Sequence, residues 1–413
     1  MRMANIALLM VVVLDIMGQG LLFPIINNLI MDPSLGFMPQ GTSVSTRQFG
    51  YGLVIGTFFL FWFLGAAYIS KVSDYIGRKQ GIMICLSGAL AGYILTILAL
   101  VFQSFILLLI GRAISGFTAG NQPIAQAALV DMSESDEQRT RYMGLIIVAF
   151  AIGLVIGPVI GGVLTDQGLI GAIASLELPF YVACALIILN MVLIAIYFHN
   201  VNFTRRKLKF RPVEIFLTLW QASKRPNVAK ISIVFFFEQV GIVSFYVFMD
   251  NYFFSRFQFD IFQNSIAMLV LGVTMGVFSG FLVGPISKRA RKTSIAFAGI
   301  TIMALAEVVF IINDSAFFAY LTIVPLIAAF GIVYPTMLTL FSACVDETEQ
   351  GWVMGVSVAL FTLGAGIISI VGGPLMAIDI RLPFFVSICS FVIALGLIGL
   401  LWRGEDVQKL NAG

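Results

Sequence analysis

Apolar residues run through this chain in twelve long stretches, near 6–30, 48–70, 80–102, 105–130, 142–165, 176–198, 229–253, 262–287, 294–313, 317–344, 352–377 and 382–402, with short polar turns between them. Each is close to the ~20 residues that a helix rising 1.5 Å per residue needs to cross ~30 Å of hydrocarbon. Lipid offers no partner to a backbone N–H or C=O, so such stretches fold as helices that satisfy their own hydrogen bonds. The pattern predicts an all-α integral membrane protein with twelve transmembrane helices. The first stretch opens on a basic MRMANIALLM, but its apolar run continues to about Ile30 without a cleavage site. It reads as a first span and not as a signal peptide.

One stretch breaks the usual composition of a helix: GLVIGPVIGG, residues 153–162, places four glycines and a proline in ten positions. In water this would be a loop, since Gly costs a helix about 1 kcal/mol and Pro about 3 kcal/mol relative to Ala. Yet no charged residue occurs between Tyr142 and Leu164. A kinked membrane helix results, whose glycines form a flat face for close contact with another helix. A helix of the opposite half of the chain is the expected partner.

The polar turns set the topology. With both termini in the cytoplasm, twenty of the 24 Lys and Arg fall on inner segments, while Arg47, Arg256 and Arg381 lie at outer edges and Arg112 lies within a span. That asymmetry fixes the orientation by the positive-inside rule. The longest inner segment, 199–228, divides the chain into six spans and six, giving halves at 1–198 and 229–413. The halves echo each other at a constant offset of 211, which pairs Met143 with Met354, Gly144 with Gly355, Gly153 with Gly364, Gly161 with Gly372 and Gly162 with Gly373. A duplicated six-span unit suits two halves that rock about a site between them, which is the architecture of a transporter.

Composition narrows the classes further. The chain is 60% hydrophobic and 11% charged, against about 25% charged in soluble domains. Cys85, Cys184, Cys344 and Cys389 each sit in an apolar run without metal or redox spacing. His199 is the single histidine. An intramembrane enzyme would need a catalytic set that one histidine at a span's inner mouth does not supply, so no catalytic residue and no metal site are expected. No phosphate-binding loop is present, which argues against ATP as the energy source. The basic run RRKLKFR could be mistaken for a nucleic-acid patch, but between two spans it reads as a linker facing lipid headgroups.

Four stretches resemble the major facilitator superfamily, and within it the twelve-span drug:proton antiporters that include the tetracycline-efflux proteins. The loop GAAYISKVSDYIGRKQG, with Gly65, Asp74, Gly77, Arg78 and Lys79, is similar to the family's signature between spans 2 and 3, although Tyr75 stands where a basic residue is usual. The resemblance implies that Asp74 and Arg78 latch the inner ends of the two halves. The corresponding loop of the second half, GPISKRARK, keeps basic residues but no acid. GLVIGPVIGG resembles the family's fifth-span pattern Gly-x-x-x-Gly-Pro-x-x-Gly-Gly, associated with exchangers, which makes Gly153, Gly157, Pro158, Gly161 and Gly162 candidate gating residues. VVVLDIMGQGLLFPII and LLIGRAISGFTAGNQP resemble the first-span pattern with Asp15 and Pro24 and the fourth-span pattern with Arg112, Gly116 and Gly120.

Charges inside the membrane are costly and face a cavity and a partner. Asp15 lies about ten residues, ~15 Å, from the inner end of its helix, and Arg112 about seven, ~10 Å, from the outer end of its own. Across a ~30 Å core these depths differ by roughly 5 Å, within reach of an Arg side chain. Asp15 and Arg112 are thus either a proton-coupling pair or a structural one. Gln19, one turn from Asp15, shares its face. In the second half Glu238 lies near mid-membrane beside Gln239, with Tyr246 two turns on; a carboxyl so placed is a candidate proton carrier. Asp250 is either a further candidate or simply solvated at the outer surface. Glu307 occupies a ninth-span place where the tetracycline exporters also carry an acid. Proton coupling is accordingly expected of Asp15, Arg112, Glu238 and Glu307, and substrate contact of Gln19, Asn121, Gln239 and Tyr246.

The resemblance implies a monomeric secondary transporter of the bacterial inner membrane, with no cofactor and the proton gradient as its energy source. It would export a small amphipathic organic compound in exchange for protons. A proton-driven importer or facilitator of a nutrient or siderophore would share the same scaffold.

Overall fold

The computed structural model describes residues 2–133, 135–199, 214–346 and 349–402. The basic run RRKLKFR and most of the predicted linker before Glu214 lie outside the described residues, as does the side chain of Asp74. In chain order the helices are α1 (Arg2–Met31), α2 (Val44–Ile76), α3 (Arg78–Val101), α4 (Phe105–Phe117), α5 (Asn121–Asp131), α6 (Asp136–Thr165), the single turn α7 (Gln167–Ile170) and α8 (Leu178–Tyr197). There follow α9 (Glu214–Lys224), α10 (Pro226–Phe257), α11 (Ile261–Phe281), α12 (Val283–Arg289), α13 (Lys292–Ile312), α14 (Ala316–Ala343), α15 (Gln350–Ile378) and α16 (Leu382–Leu401). Among the described residues eleven helices are long and apolar enough to cross a membrane.

The predicted fourth span, 105–130, is not one helix but two. Gly120 (φ −130°, ψ 12°) takes the chain out of helical geometry, and α5 restarts at Asn121. Pro123 then occupies the first turn of α5, where a missing N–H is tolerated. Apolarity carries the run through the bilayer, but glycine and proline divide it into helices of 13 and 11 residues.

Two compact units emerge, Met1–Arg211 with Phe259–Leu269 and Pro212–Gln258 with Val270–Gly413. Sequence alone placed the whole eighth span in the second half, whereas the start of α11 groups with the first unit. In the first unit Gly153, Gly157 and Gly161 of α6 lie against α1 of the same half, not against the opposite half as expected. A Cβ added at Gly153 would stand 2.5 Å from the Val13 carbonyl oxygen, and one at Gly161 would stand 3.0 Å from that of Leu21. One at Gly157 would overlap the carbonyl of Met17. The fit is two-sided, because a Cβ at Gly20 would stand 2.7 Å from Pro158 Cδ, so the proline ring fills the notch that Gly20 leaves. Gly162 alone meets the opposite half that the sequence predicted, facing Ser265 of α11.

In the second unit α15 repeats this arrangement on α10. A Cβ at Gly364 would stand 3.1 Å from Val240 Cγ2, and one at Gly372 would overlap the Phe248 ring. Elsewhere in that unit Phe245, Tyr252, Phe310 and Phe384 pack with ring centroids 5.0–6.1 Å apart, tying α10, α13 and α16 together. The helix α9, inside the predicted linker 199–228, buries Ile215 and Ala222 and exposes Phe216 and Trp220.

Leucine at Gly157 must push α1 from α6. Gly157→Leu is therefore expected to lower stability in detergent by about 1–3 kcal/mol. Gly144→Leu, where an added Cβ meets nothing within 4 Å, should stay within about 0.5 kcal/mol of the parent. Thermal melts of the two variants decide it, and equal melts would remove the close contact from the fold's support.

Candidate functional site

Packing α6 on the Val13, Met17 and Leu21 side of α1 turns the opposite side of α1 inward, and Asp15 and Gln19 lie there one turn apart. They line a cavity of about 40 Å³ inside the first unit, with Phe58 of α2, Tyr93 of α3, Arg112 of α4 and Asn121 of α5. That is room for two or three waters. Four expected site residues are thus brought together: Asp15, Gln19, Arg112 and Asn121. Tyr93 was not foreseen, although Gly18 signals it, because a Cβ at Gly18 would overlap the Tyr93 hydroxyl.

The break in the fourth span determines what Asp15 touches. Asn121 and Gln122 open α5, and the Asn121 side chain and Gln122 backbone N–H both hydrogen-bond to the Asp15 carboxylate. A helix N-terminus is a ready source of unpaired amides and partial positive charge. The expected ion pair between Asp15 and Arg112 does not form: among the described residues no ion pair involves either. Arg112 is 5% exposed and lays its guanidinium 4.2 Å from the centroid of the Phe58 ring. Its Nε is buried without a hydrogen-bond partner.

The expected acids of the second unit are fully buried. Gln239 Nε2 donates to Glu238 Oε2 at 2.6 Å, while Glu238 Oε1 has no partner. Asp250 is 0% exposed, which overturns the reading that it is solvated at the surface; α10 continues to Phe257 and carries it inward of the helix end. Glu307 accepts a hydrogen bond from the Ser387 hydroxyl, one turn from Phe310 of the aromatic cluster.

At the turn after α2, Gly77 joins α2 to α3 at φ 108°, a conformation that side chains rarely adopt. Arg78 then reaches Ser73 Oγ at 3.1 Å and Asp131, the last residue of α5, at 3.4 Å. Asp131 was missed, because an acid at the inner edge of a span looks like any solvated loop charge. Gly65 lets α2 meet α4, since a Cβ there would overlap the Phe117 carbonyl. Each half also fastens the N-terminal end of its fifth span. Asn5 and Gln138 both donate to the Tyr142 hydroxyl at 2.9 Å in the first. In the second, Arg225 makes a two-pronged ion pair with Glu349 at 2.6 and 2.7 Å and lies 4.5 Å over the Trp352 ring. Hydrogen bonding to Arg225 holds the Glu349 carboxyl below its ordinary value.

A helical bundle with charges buried in its spans and a duplicated half is the build of a membrane transporter. The chain matches the family model described as Major Facilitator Superfamily over residues 8–356 and 231–412 and belongs to that family. It is 28% identical to the tetracycline resistance protein, class C, of Escherichia coli over 367 residues, 87% of this chain and 86% of that one. The human organic anion transporter MFSD10 (TETRAN) has a similar structure, with a TM-score of 0.72 and 19% identity, covering 96% of this chain and 99% of that one. A D-xylose-proton symporter gives a TM-score of 0.73 at 13% identity, covering 96% and 97%. The protein is a multi-pass membrane transporter with the family's twelve-helix fold, and not an enzyme.

The Gly18 and Tyr93 contact can be tested without a substrate. Gly18→Ala should destabilise by about 1–3 kcal/mol through overpacking, and adding Tyr93→Phe, which removes the colliding oxygen, should recover most of it. A double-mutant cycle of melting curves reads the coupling; strictly additive effects would mean the two residues do not meet.

Proposed function

We propose that this protein exports a small amphipathic organic compound in exchange for protons, by alternating access, from the cytoplasm of a bacterium. Asp15 carries the reading: an acid in the first span, lining a cavity and held by the N-terminus of α5. It accepts the proton, and Arg112, Glu238 and Glu307 complete the coupling. Gln19, Asn121, Gln239 and Tyr246 contact the substrate. Gly65, Asp74, Gly77 and Arg78 act at the inner gate, and the glycines and proline of α6 with them. Likeness to tetracycline resistance proteins along most of the chain supports export. The proton gradient serves as the energy source without a cofactor, a monomer suffices, and the distribution of Lys and Arg supports cytoplasmic termini.

A symporter shares the fold, as the xylose symporter does, so direction is the quantity to measure. In proteoliposomes carrying a pH dye, tetracycline or ethidium should drive protons opposite to its own movement. Asp15→Asn should abolish that movement while keeping the parent's melting temperature. Protons moving with the compound would establish symport instead, and full exchange by Asp15→Asn would take Asp15 out of the mechanism.

A further inference from the structure

Glu307 of α13 is 0% exposed, and its Oε1 is buried without a hydrogen-bond partner. Among the described residues no ion pair involves it. Of the helices around it, α10 brings the acids Glu238 and Asp250 with Tyr246 and Tyr252, α14 brings Tyr320 and Tyr334, and α16 brings Cys389. Arg256 of α10 reaches the Ile311 carbonyl near the end of α13, but it is paired with Asp314. A carboxylate buried without a cation is costly. What Glu307 does touch is the Ser387 hydroxyl of α16. That same Oγ lies 2.8 Å from the Gly241 carbonyl of α10, while Ser244 of α10 donates back to the Pro383 carbonyl of α16 at 2.7 Å. A hydroxyl has one hydrogen and a carbonyl oxygen has none. Two full bonds at Ser387 therefore need a second hydrogen, and Glu307 is the group that can bring it.

We propose that Glu307 carries a proton in this conformation and donates a hydrogen bond to Ser387, which in turn donates to Gly241, so that Ser387 relays the state of the acid to α10. The atom then left without a partner, Oε1, is a neutral carbonyl oxygen and not a bare charge. Once the proton passes to water, the carboxylate can only accept, and its stronger bond claims the Ser387 hydrogen. Gly241 loses that donor, and with it goes one of the two hydroxyl bonds that join α10 to α16. The proposal deepens the part that the exporter reading gives to Glu307. Ser387 becomes a positioning residue, acting on the span that carries Glu238 and Gln239.

Infrared spectra in an alkyl maltoside, which has no ester carbonyl, read the proton directly and do not depend on transport. At neutral pH the difference between the parent and Glu307→Gln should contain the C=O stretch of a hydrogen-bonded carboxylic acid. Ser387→Ala should move that stretch to higher frequency, and Ser387→Thr should return it. Glu307→Asp, whose shorter side chain should displace the stretch, serves in place of Glu307→Gln if the latter fails to fold by its melting curve. Hydrogen exchange in α10 around Gly241 should rise about threefold or more in Ser387→Ala and stay within about twofold in Glu307→Gln, whose amide can donate in the acid's place. In the parent, exchange corrected for the intrinsic effect of pH should rise as alkali removes the stretch. Absence of the acid stretch, or a stretch indifferent to Ser387→Ala, overturns the proposal. So does a stretch that alkali cannot remove before the parent unfolds, or α10 exchange unmoved by its loss or by Ser387→Ala. Proton movement driven by tetracycline or ethidium in liposomes tests the exporter reading separately, since a parent that exchanges nothing can still hold this proton and one that exchanges can lack it.

Discussion

Everything in the first unit depends on how closely α6 approaches α1. Backbone meets backbone at Gly153, Gly157 and Gly161, and the ring of Pro158 settles into the notch at Gly20. In lipid no hydrophobic force brings helices together, so contact of this kind supplies dispersion attraction that larger side chains would prevent. It also sets the rotation of α1 about its own axis. With one side of α1 committed to α6, Asp15 and Gln19 have only the interior to face. The second unit holds α15 on α10 by the same means, with the Phe248 ring where the first half has bare backbone.

A second constraint is the interrupted fourth span. A continuous helix would spend its amides on its own carbonyls; the break at Gly120 frees the first amides of α5 at the depth of Asp15. Non-helical backbone inside a membrane is tolerated where it lines a cavity. Arg112 sits on the helix before the break and Asn121 on the helix after it. One interruption therefore supplies both ends of the site.

Much of this was legible in the residues. Apolar runs gave the spans, repeated glycines gave the duplication, and the loop from Gly65 to Lys79 and the stretch 153–162 pointed to the family. The partners were not legible. Depth along two helices says how far apart Asp15 and Arg112 lie across the bilayer, but not how each helix is rotated, and rotation decided that they would not pair. The same gap hid Tyr93 and assigned Gly153, Gly157 and Gly161 to the wrong neighbour, since a glycine face announces close contact without naming the helix that makes it. An apolar run of 26 residues, 105–130, also conceals its own break, because hydropathy does not register a change in backbone direction.

The clasps at the N-terminal ends of α6 and α15 differ in kind between the halves. Asn5, Gln138 and Tyr142 are joined by neutral hydrogen bonds, which salt does not screen. Arg225 and Glu349 are joined by charge at an exposed position, where ions compete and the bond weakens as ionic strength rises. The carboxyl of Glu349 is held below its ordinary value, so its contribution is complete above the usual carboxylate range and fades only as pH falls through that lowered value. The two halves, alike in packing, are therefore fastened differently: one clasp is indifferent to salt, and the other responds to salt and to acid.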